Sequence, residues 1–220
     1  MIQWVYEAAN ASNVFNRVIV ATDDARVADC VRGFGGDVEM TRSDCETGTD
    51  RVAEVAERYP EMAAIANVQG DQPFVTQEML SQLMAPYLSG QNPDMTTLAC
   101  PLVDEASYKD PNTVKVLCDC HGQALYFSRS PIPFYRNRPV SSQPPTPVFH
   151  HLGLYAFRRD FLLHYASLEP TPLEQCEALE QLRVLEHGYR IVVCPTVTSI
   201  LEINTPEDLA KAQAALGLSK

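Results

Sequence analysis

The sequence predicts a three-layer α/β domain with a largely parallel sheet, into which a more antiparallel subregion is inserted. Three observations carry this expectation. As far as Leu88, β-branched and apolar runs alternate with segments of helical period. The run Ile65-Ala-Asn-Val-Gln-Gly-Asp-Gln-Pro73 stops abruptly in turn chemistry, as a buried strand does at its carboxyl end. After Met95 the strand-like runs follow one another over short connections, which favours antiparallel pairing.

Each element has its own reason. Met1-Ile-Gln-Trp-Val-Tyr-Glu-Ala-Ala repeats apolar residues at helical spacing. Asn16 to Asp23 is a β-branched strand ending in Thr-Asp, and Asp24 to Phe34 a helix closed by Gly35-Gly36. A short strand at Asp37–Met40 precedes a helix from Gly48 to Tyr59. The strand at Ala63–Gln69 is followed by a helix at Gln77–Leu88. Further strands are expected at Met95–Pro101, Val114–Cys120, Leu125–Phe127, Phe149–Phe157 and Tyr189–Cys194. Pro131 to Pro147, rich in Pro, Ser, Arg and Asn, reads as an exposed or partner-facing loop. Glu174–His187 reads as an amphipathic helix. Thr205-Pro-Glu-Asp opens the last helix, with Thr as N-cap, Pro at N1 and acids in the first turn.

Composition narrows the function. With 220 residues, 45% of them hydrophobic, the chain can build one sizeable core, and a single domain is expected over residues 1–220. A formal charge of −11 argues against a nucleic-acid surface, so any anionic ligand needs locally gathered cations or a divalent metal. No apolar run is long enough to span a membrane. Seven scattered cysteines argue for free thiols in a reducing cytoplasm. Cys118, Cys120 and His121 lack a second ligand pair at zinc-site spacing, which leaves simple alternation on one strand face.

The chemistry centres on Gly70-Asp71-Gln72-Pro73. A carboxylate at a strand's carboxyl end stands where open α/β sheets bind ligands, and Gly70 lets a ligand approach the backbone. The same residues also suit an ordinary turn whose aspartate is satisfied by backbone amides. Thr47-Gly48-Thr49 is equally readable as a nucleotide-facing loop or as a helix N-cap. From the residues alone, Arg129 is a surface cation, His151 a satisfied core histidine and Tyr155 a core ring.

A series of ordered segments changes that weighting. Arg17-Val-Ile-Val-Ala-Thr-Asp-Asp24, Thr47-Gly-Thr-Asp-Arg51, Asn67-Val-Gln-Gly-Asp-Gln-Pro73 and Ala124-Leu-Tyr-Phe-Ser-Arg-Ser-Pro-Ile-Pro133 occur in order. His151-Leu-Gly-Leu-Tyr155, Leu179-Glu-Gln-Leu-Arg-Val-Leu185 and Asn204-Thr-Pro-Glu-Asp-Leu209 follow. Together they resemble the 3-deoxy-D-manno-octulosonate cytidylyltransferase (CMP-Kdo synthetase) family, which joins CTP and the acidic eight-carbon sugar Kdo for lipopolysaccharide synthesis. The resemblance implies a Rossmann-like nucleotide-diphospho-sugar transferase fold with a mixed sheet and an antiparallel dimerisation subregion at about 101–155. It implies a cytoplasmic homodimer. It assigns Asp71 and Gln69 to catalysis, and Thr47, Gly48, Thr49 and Gln69 to the nucleotide. Arg129, His151, Tyr155, Glu180 and Gln181, the last two on one helix turn, fall to the sugar. Mg2+ is expected on Asp71, with Asn204 as a weakened second ligand.

Three departures accompany the resemblance. Gln72 stands where many members have glutamate, and Asn204 where a metal-binding aspartate is usual. The family's opening strand and basic glycine-containing loop, roughly 25 residues of a βαβ unit, are lacking ahead of the helix that starts at Met1, which is expected to reflect a truncated or misassigned start. These departures keep two alternatives open, a non-catalytic sugar- or nucleotide-binding relative and a cytidylyltransferase for another acidic sugar.

Overall fold

The structure, a computed structural model, describes residues 1–45, 47–136 and 148–197. They group into two compact units, the first holding Met1–Tyr59 and Asn67–Ser81, the second Pro60–Ala66 and 82–197. The class is α/β, as the sequence predicts, and the sheet is mixed, as the family resemblance implies.

In the first unit, α1 (Ile2–Ala11) buries Val5 and Ala9, four residues apart on one face. β1 (Val20–Thr22), α2 (Ala25–Gly33) and β2 (Val38–Met40) form a βαβ unit whose two strands run parallel. The Asp24 side chain caps α2 by accepting the Arg26 N–H at 2.7 Å. Gly35, at φ +79°, ends the helix in a conformation that suits glycine. α3 (Gly48–Glu57) starts with a reciprocal capping box between Thr47 and Asp50, and buries Thr49, Ala53 and Ala56. β3 (Ala64–Asn67) and α4 (Gln77–Leu88) contribute residues to both units.

The second unit is built on β4 (Met95–Pro101), α5 (Glu105–Lys109), β5 (Lys115–Cys118), β6 (Ala124–Ser128) and β7 (Phe149–Arg158). α6 (Arg159–Tyr165), α7 (Pro172–Glu177), α8 (Leu182–Glu186) and β8 (Ile191–Pro195) complete its described part. The strand order is β6-β5-β7-β4-β8, with β3 also on β7. Met95 to Cys100 are all buried, so β4 is covered on both faces and its sequence is continuously apolar or small. The sheet is less parallel than the helix–strand alternation suggests. β4 runs parallel to β8, but β4–β7, β5–β6 and β5–β7 are antiparallel.

Two further departures from the sequence reading shape the site. The helix expected over Glu174–His187 is two short helices, broken at Ala178, which sits at φ +51°. The break has a tertiary cause: the Arg129 Nε donates to the Glu177 carbonyl at 2.8 Å and its Nη2 to the Ala178 carbonyl at 3.3 Å. These bonds satisfy carbonyls that a continuing helix would use itself. Glu180 and Gln181 therefore lie in the turn between α7 and α8, not on a helix. The second departure is a bulge in β7. Thr97 pairs with Tyr155 and Ala99 with His151, so one residue of β4 faces three of β7. Gly153, at φ +67°, supplies the left-handed residue inside the bulge. The helix expected at Thr205 lies outside the described residues.

Candidate active site

In the first unit, the strand end at Asn67–Gln69 meets the start of α3. A Cβ added to Gly48 would stand 3.5 Å from Gln69 Nε2, 3.6 Å from Gln69 Oε1 and 4.0 Å from Asn67 Nδ2. Glycine thus brings the α3 backbone against two strand-end amides. The Asn67 amide donates to the Thr49 hydroxyl at 3.1 Å, and both residues are buried. Thr47 acts as the N-cap, so the capping reading of that segment holds locally. Its hydroxyl accepts from Asp50 N at 3.1 Å. Asp71 is half-buried in the turn that follows, with Gln72 N–H donating to the Gln69 carbonyl at 3.3 Å. The turn thus holds a carboxylate beside a strand terminus, the position at which ligands bind in open α/β sheets. Among the described residues, no three of His, Cys, Asp and Glu gather into a metal-holding group. Asn204 lies outside the described residues.

Its sequence context alone gives Arg51 no role. Its Nη1 pairs with Asp23 at 3.1 Å and donates to the Thr41 hydroxyl and to the Arg42 carbonyl. A mostly buried guanidinium therefore stands just past the ends of β1 and β2. The signal was present in the Thr22-Asp23 and Thr41 strand endings, but only the fold brings them to one arginine.

The second unit holds the other predicted residues. The β7 bulge draws His151 and Tyr155 together, their rings 5.5 Å apart. Four residues of regular strand would separate them by about 13 Å. Tyr155 donates from its hydroxyl to Gln181 Oε1 at 3.1 Å, and Gln181 Nε2 lies 3.5 Å from His151 Nδ1. His151 Nε2 is 2.9 Å from the Thr97 hydroxyl, which itself donates to the Leu154 carbonyl at 2.7 Å. The edge of Phe127 closes on the imidazole at 4.9 Å between centroids. Burial, with a smaller contribution from neighbouring His150, pushes the His151 pKa down to about 3, so the ring is neutral at pH 7. Thr97 had no signal in the sequence beyond being a β-branched strand residue.

Arg129 is not the free surface cation that its sequence suggests. Its Nη1 also donates to the Pro111 carbonyl at 3.1 Å, and its backbone N–H donates to Glu177 Oε2 at 2.9 Å. Ser128 donates to the other oxygen of that carboxylate at 2.6 Å. Lys115, fully buried, donates from Nζ to the carbonyls of Asp110, Thr113 and Arg129 at 2.9, 2.6 and 2.7 Å. These bonds tie the segment after β6 to the end of α7. Beside it, Arg183 forks onto Glu174 at 2.8 and 2.6 Å, which ties α8 to α7 and fixes the turn that carries Glu180 and Gln181.

A mixed α/β fold with a carboxylate and a glycine-led helix start gathered at a strand end has the ligand-binding arrangement of a Rossmann-like fold. The chain belongs to the cytidylyltransferase family, whose model, Cytidylyltransferase, matches residues 1–191. It is 62% identical over 213 residues to the 3-deoxy-manno-octulosonate cytidylyltransferase of Acaryochloris marina, covering 97% of this chain and 85% of that one. A solved CMP:2-keto-3-deoxy-manno-octonic acid synthetase complexed with CTP superposes with a TM-score of 0.91 at 37% identity, over 98% of this chain and 87% of that one. The 4-diphosphocytidyl-2C-methyl-D-erythritol synthase of Anaerococcus prevotii shares the fold, with a TM-score of 0.63 at 14% identity, over 98% of this chain and 88% of that one.

Proposed function

We propose that the chain joins CTP to 3-deoxy-D-manno-octulosonate (Kdo), releasing diphosphate and CMP-Kdo for lipopolysaccharide synthesis. The observation that carries this reading is the 62% identity to a 3-deoxy-manno-octulosonate cytidylyltransferase across nearly the whole chain. The likeness to a CTP-bound synthetase supports it further.

In this reaction the sugar's anomeric oxygen attacks the α-phosphorus. The bond from that phosphorus to the diphosphate oxygen breaks, and the hydroxyl proton is lost to solvent or a base. Little covalent work falls to the protein, so positioning and charge compensation dominate. Gln69, with an amide that both donates and accepts, and the Thr47-Gly48-Thr49 backbone are the nucleotide-holding residues in this reading. Asp71 would hold Mg2+, an ion usually bound through one or two carboxylates together with substrate phosphates, and its hard oxygen suits that ion. When bound, Mg2+ supplies neutralisation of the phosphate charge. In this reading His151, Tyr155, Glu180 and Gln181 hold the sugar hydroxyls, and Arg129 supplies the cation for the sugar's carboxylate.

The protein is expected to act in the cytoplasm as a homodimer. Among the described residues no helix is long and apolar enough to cross a membrane. Val103, Leu125 and Phe134 in the antiparallel region are exposed apolar side chains available to a partner surface. Light scattering tests it, and a monomer at micromolar concentration would contradict it.

The enzymatic test is diphosphate release from CTP. Release that requires both Kdo and Mg2+ supports the reading. No release, or equal release with a neuraminate in place of Kdo, refutes the proposed substrate.

A further inference from the structure

We propose that Thr97 is a positioning residue that locks His151 as its neutral Nε2–H tautomer and so fixes the orientation of the Gln181 amide between His151 and Tyr155. The proposal rests on the reading that His151, Tyr155 and Gln181 hold the sugar. Its starting point is a group that can only accept, the Leu154 carbonyl. The Thr97 hydroxyl hydrogen is committed to that carbonyl at 2.7 Å. The Thr97 oxygen, 2.9 Å from His151 Nε2, can then only accept, so the ring proton sits on Nε2. His151 Nδ1 is left as an acceptor, and what faces it at 3.5 Å is the Gln181 NH2 group. With its amide nitrogen toward His151, Gln181 presents its oxygen to the Tyr155 hydroxyl, which donates to it at 3.1 Å. Every step runs in one direction. A proton on Nδ1 would demand the opposite amide orientation and leave Tyr155 facing an NH2 group.

The bulge in β7 makes this possible. The shift between Thr97 and Ala99 disrupts the local ladder beside Leu154, whose carbonyl accepts from a side chain. Thr97, His151, Tyr155 and Gln181 are all buried, at 0%, 6%, 5% and 1% exposure. The group is also uncharged, because burial holds the imidazole neutral. A carboxylate brought against it would be desolvated without a compensating charge. An uncharged group of this kind suits the sugar's hydroxyls better than its acid group.

The test uses the full chain labelled with 15N-histidine. Its five histidines are distinguished by the signal lost in His151→Asn. In the wild type the His151 proton is expected on Nε2. Thr97→Val removes the acceptor at nearly constant shape. It is expected to shift the ring toward Nδ1–H and raise the Kdo KM about tenfold, the worth of one buried hydrogen bond, with the CTP KM within about twofold. Thr97→Ser keeps the hydroxyl and is expected to retain both properties. A wild-type ring protonated on Nδ1 overturns the proposal without any variant having to fold. A Thr97→Val protein with an unmoved tautomer or an unmoved Kdo KM overturns it as well. If His151→Asn and Gln181→Ala both leave the Kdo KM unchanged, the sugar-binding reading itself has failed, a result separate from the tautomer measurement.

Discussion

Replacing Arg183 with methionine removes one half of the buried ion pair that joins α8 to α7. The two side chains are only 7% and 11% exposed. Arg183 donates to Glu174 from Nε at 2.8 Å and Nη2 at 2.6 Å, to the Leu168 carbonyl at 3.2 Å, and lies over the Tyr165 ring at 5.1 Å. Without it, Glu174 keeps the Thr171 N–H, at 3.1 Å, but loses its charge partner in a dry site. Breaking such a pair on one side costs about 3–5 kcal/mol, most of it the stranded charge. For a chain of this size that corresponds to a fall in Tm of roughly 6–20 °C. The assay is urea unfolding followed by circular dichroism, on wild type, Arg183→Met, Glu174→Gln and the double variant. The double variant should be markedly less damaged than the sum of the singles, because no lone charge remains. Because the pair fixes the Ala178–Gln181 turn, the folded single variant should also show a raised Kdo KM. A loss below about 1 kcal/mol for Arg183→Met, the value of a solvent-screened surface pair, would refute the reasoning.

Other expectations follow from the same geometry. His151 has a folded pKa of about 3, held below its ordinary 6.5 by burial. Between those values the unfolded chain binds a proton that the folded chain does not, so this stability is present above pH 6.5 and is lost as pH falls. The loss from pH 7 to 5 should be about 2 kcal/mol, and His151→Asn should flatten it; an equal slope in both proteins would contradict the burial account. Gly48→Ala meets Gln69 only at ordinary contact distance, so urea stability should stay within about 1 kcal/mol of wild type while the CTP KM rises. A normal CTP KM would show that no ligand approaches that backbone. Gly153→Ala forces a side chain into φ +67° and should cost about 1–2 kcal/mol together with a higher Kdo KM, measured by unfolding and steady-state kinetics.

The fold was legible wherever local chemistry decides it. The bounds of α4 and β4 coincide with those read from periodicity and from flanking turns, and Asp24 and Thr47 cap their helices as their residue types suggest. It was not legible where distant groups decide. Nothing in the sequence around Ala178 breaks a helix; Arg129, about fifty residues away, does so by holding two carbonyls. α6 leaves no mark in the sequence because its seven residues follow β7 without a turn signal. Gly153 was visible as a glycine between two apolar residues, but the bulge it enables appears only in the pairing with β4. The same holds for the site. Asp71, Gln69 and His151 are candidates that the sequence itself singles out, whereas Thr97, Lys115 and Arg51 stand out only through bonds to carbonyls and carboxylates that the fold brings to them.

The most direct test of the function is a diphosphate-release assay with purified chain, CTP, Kdo and Mg2+, run beside Asp71→Asn. The account predicts turnover that needs all three additions, and a loss of at least about a hundredfold in kcat on neutralising the carboxylate at the β3 turn. Turnover in Asp71→Asn equal to that of the wild type would contradict it.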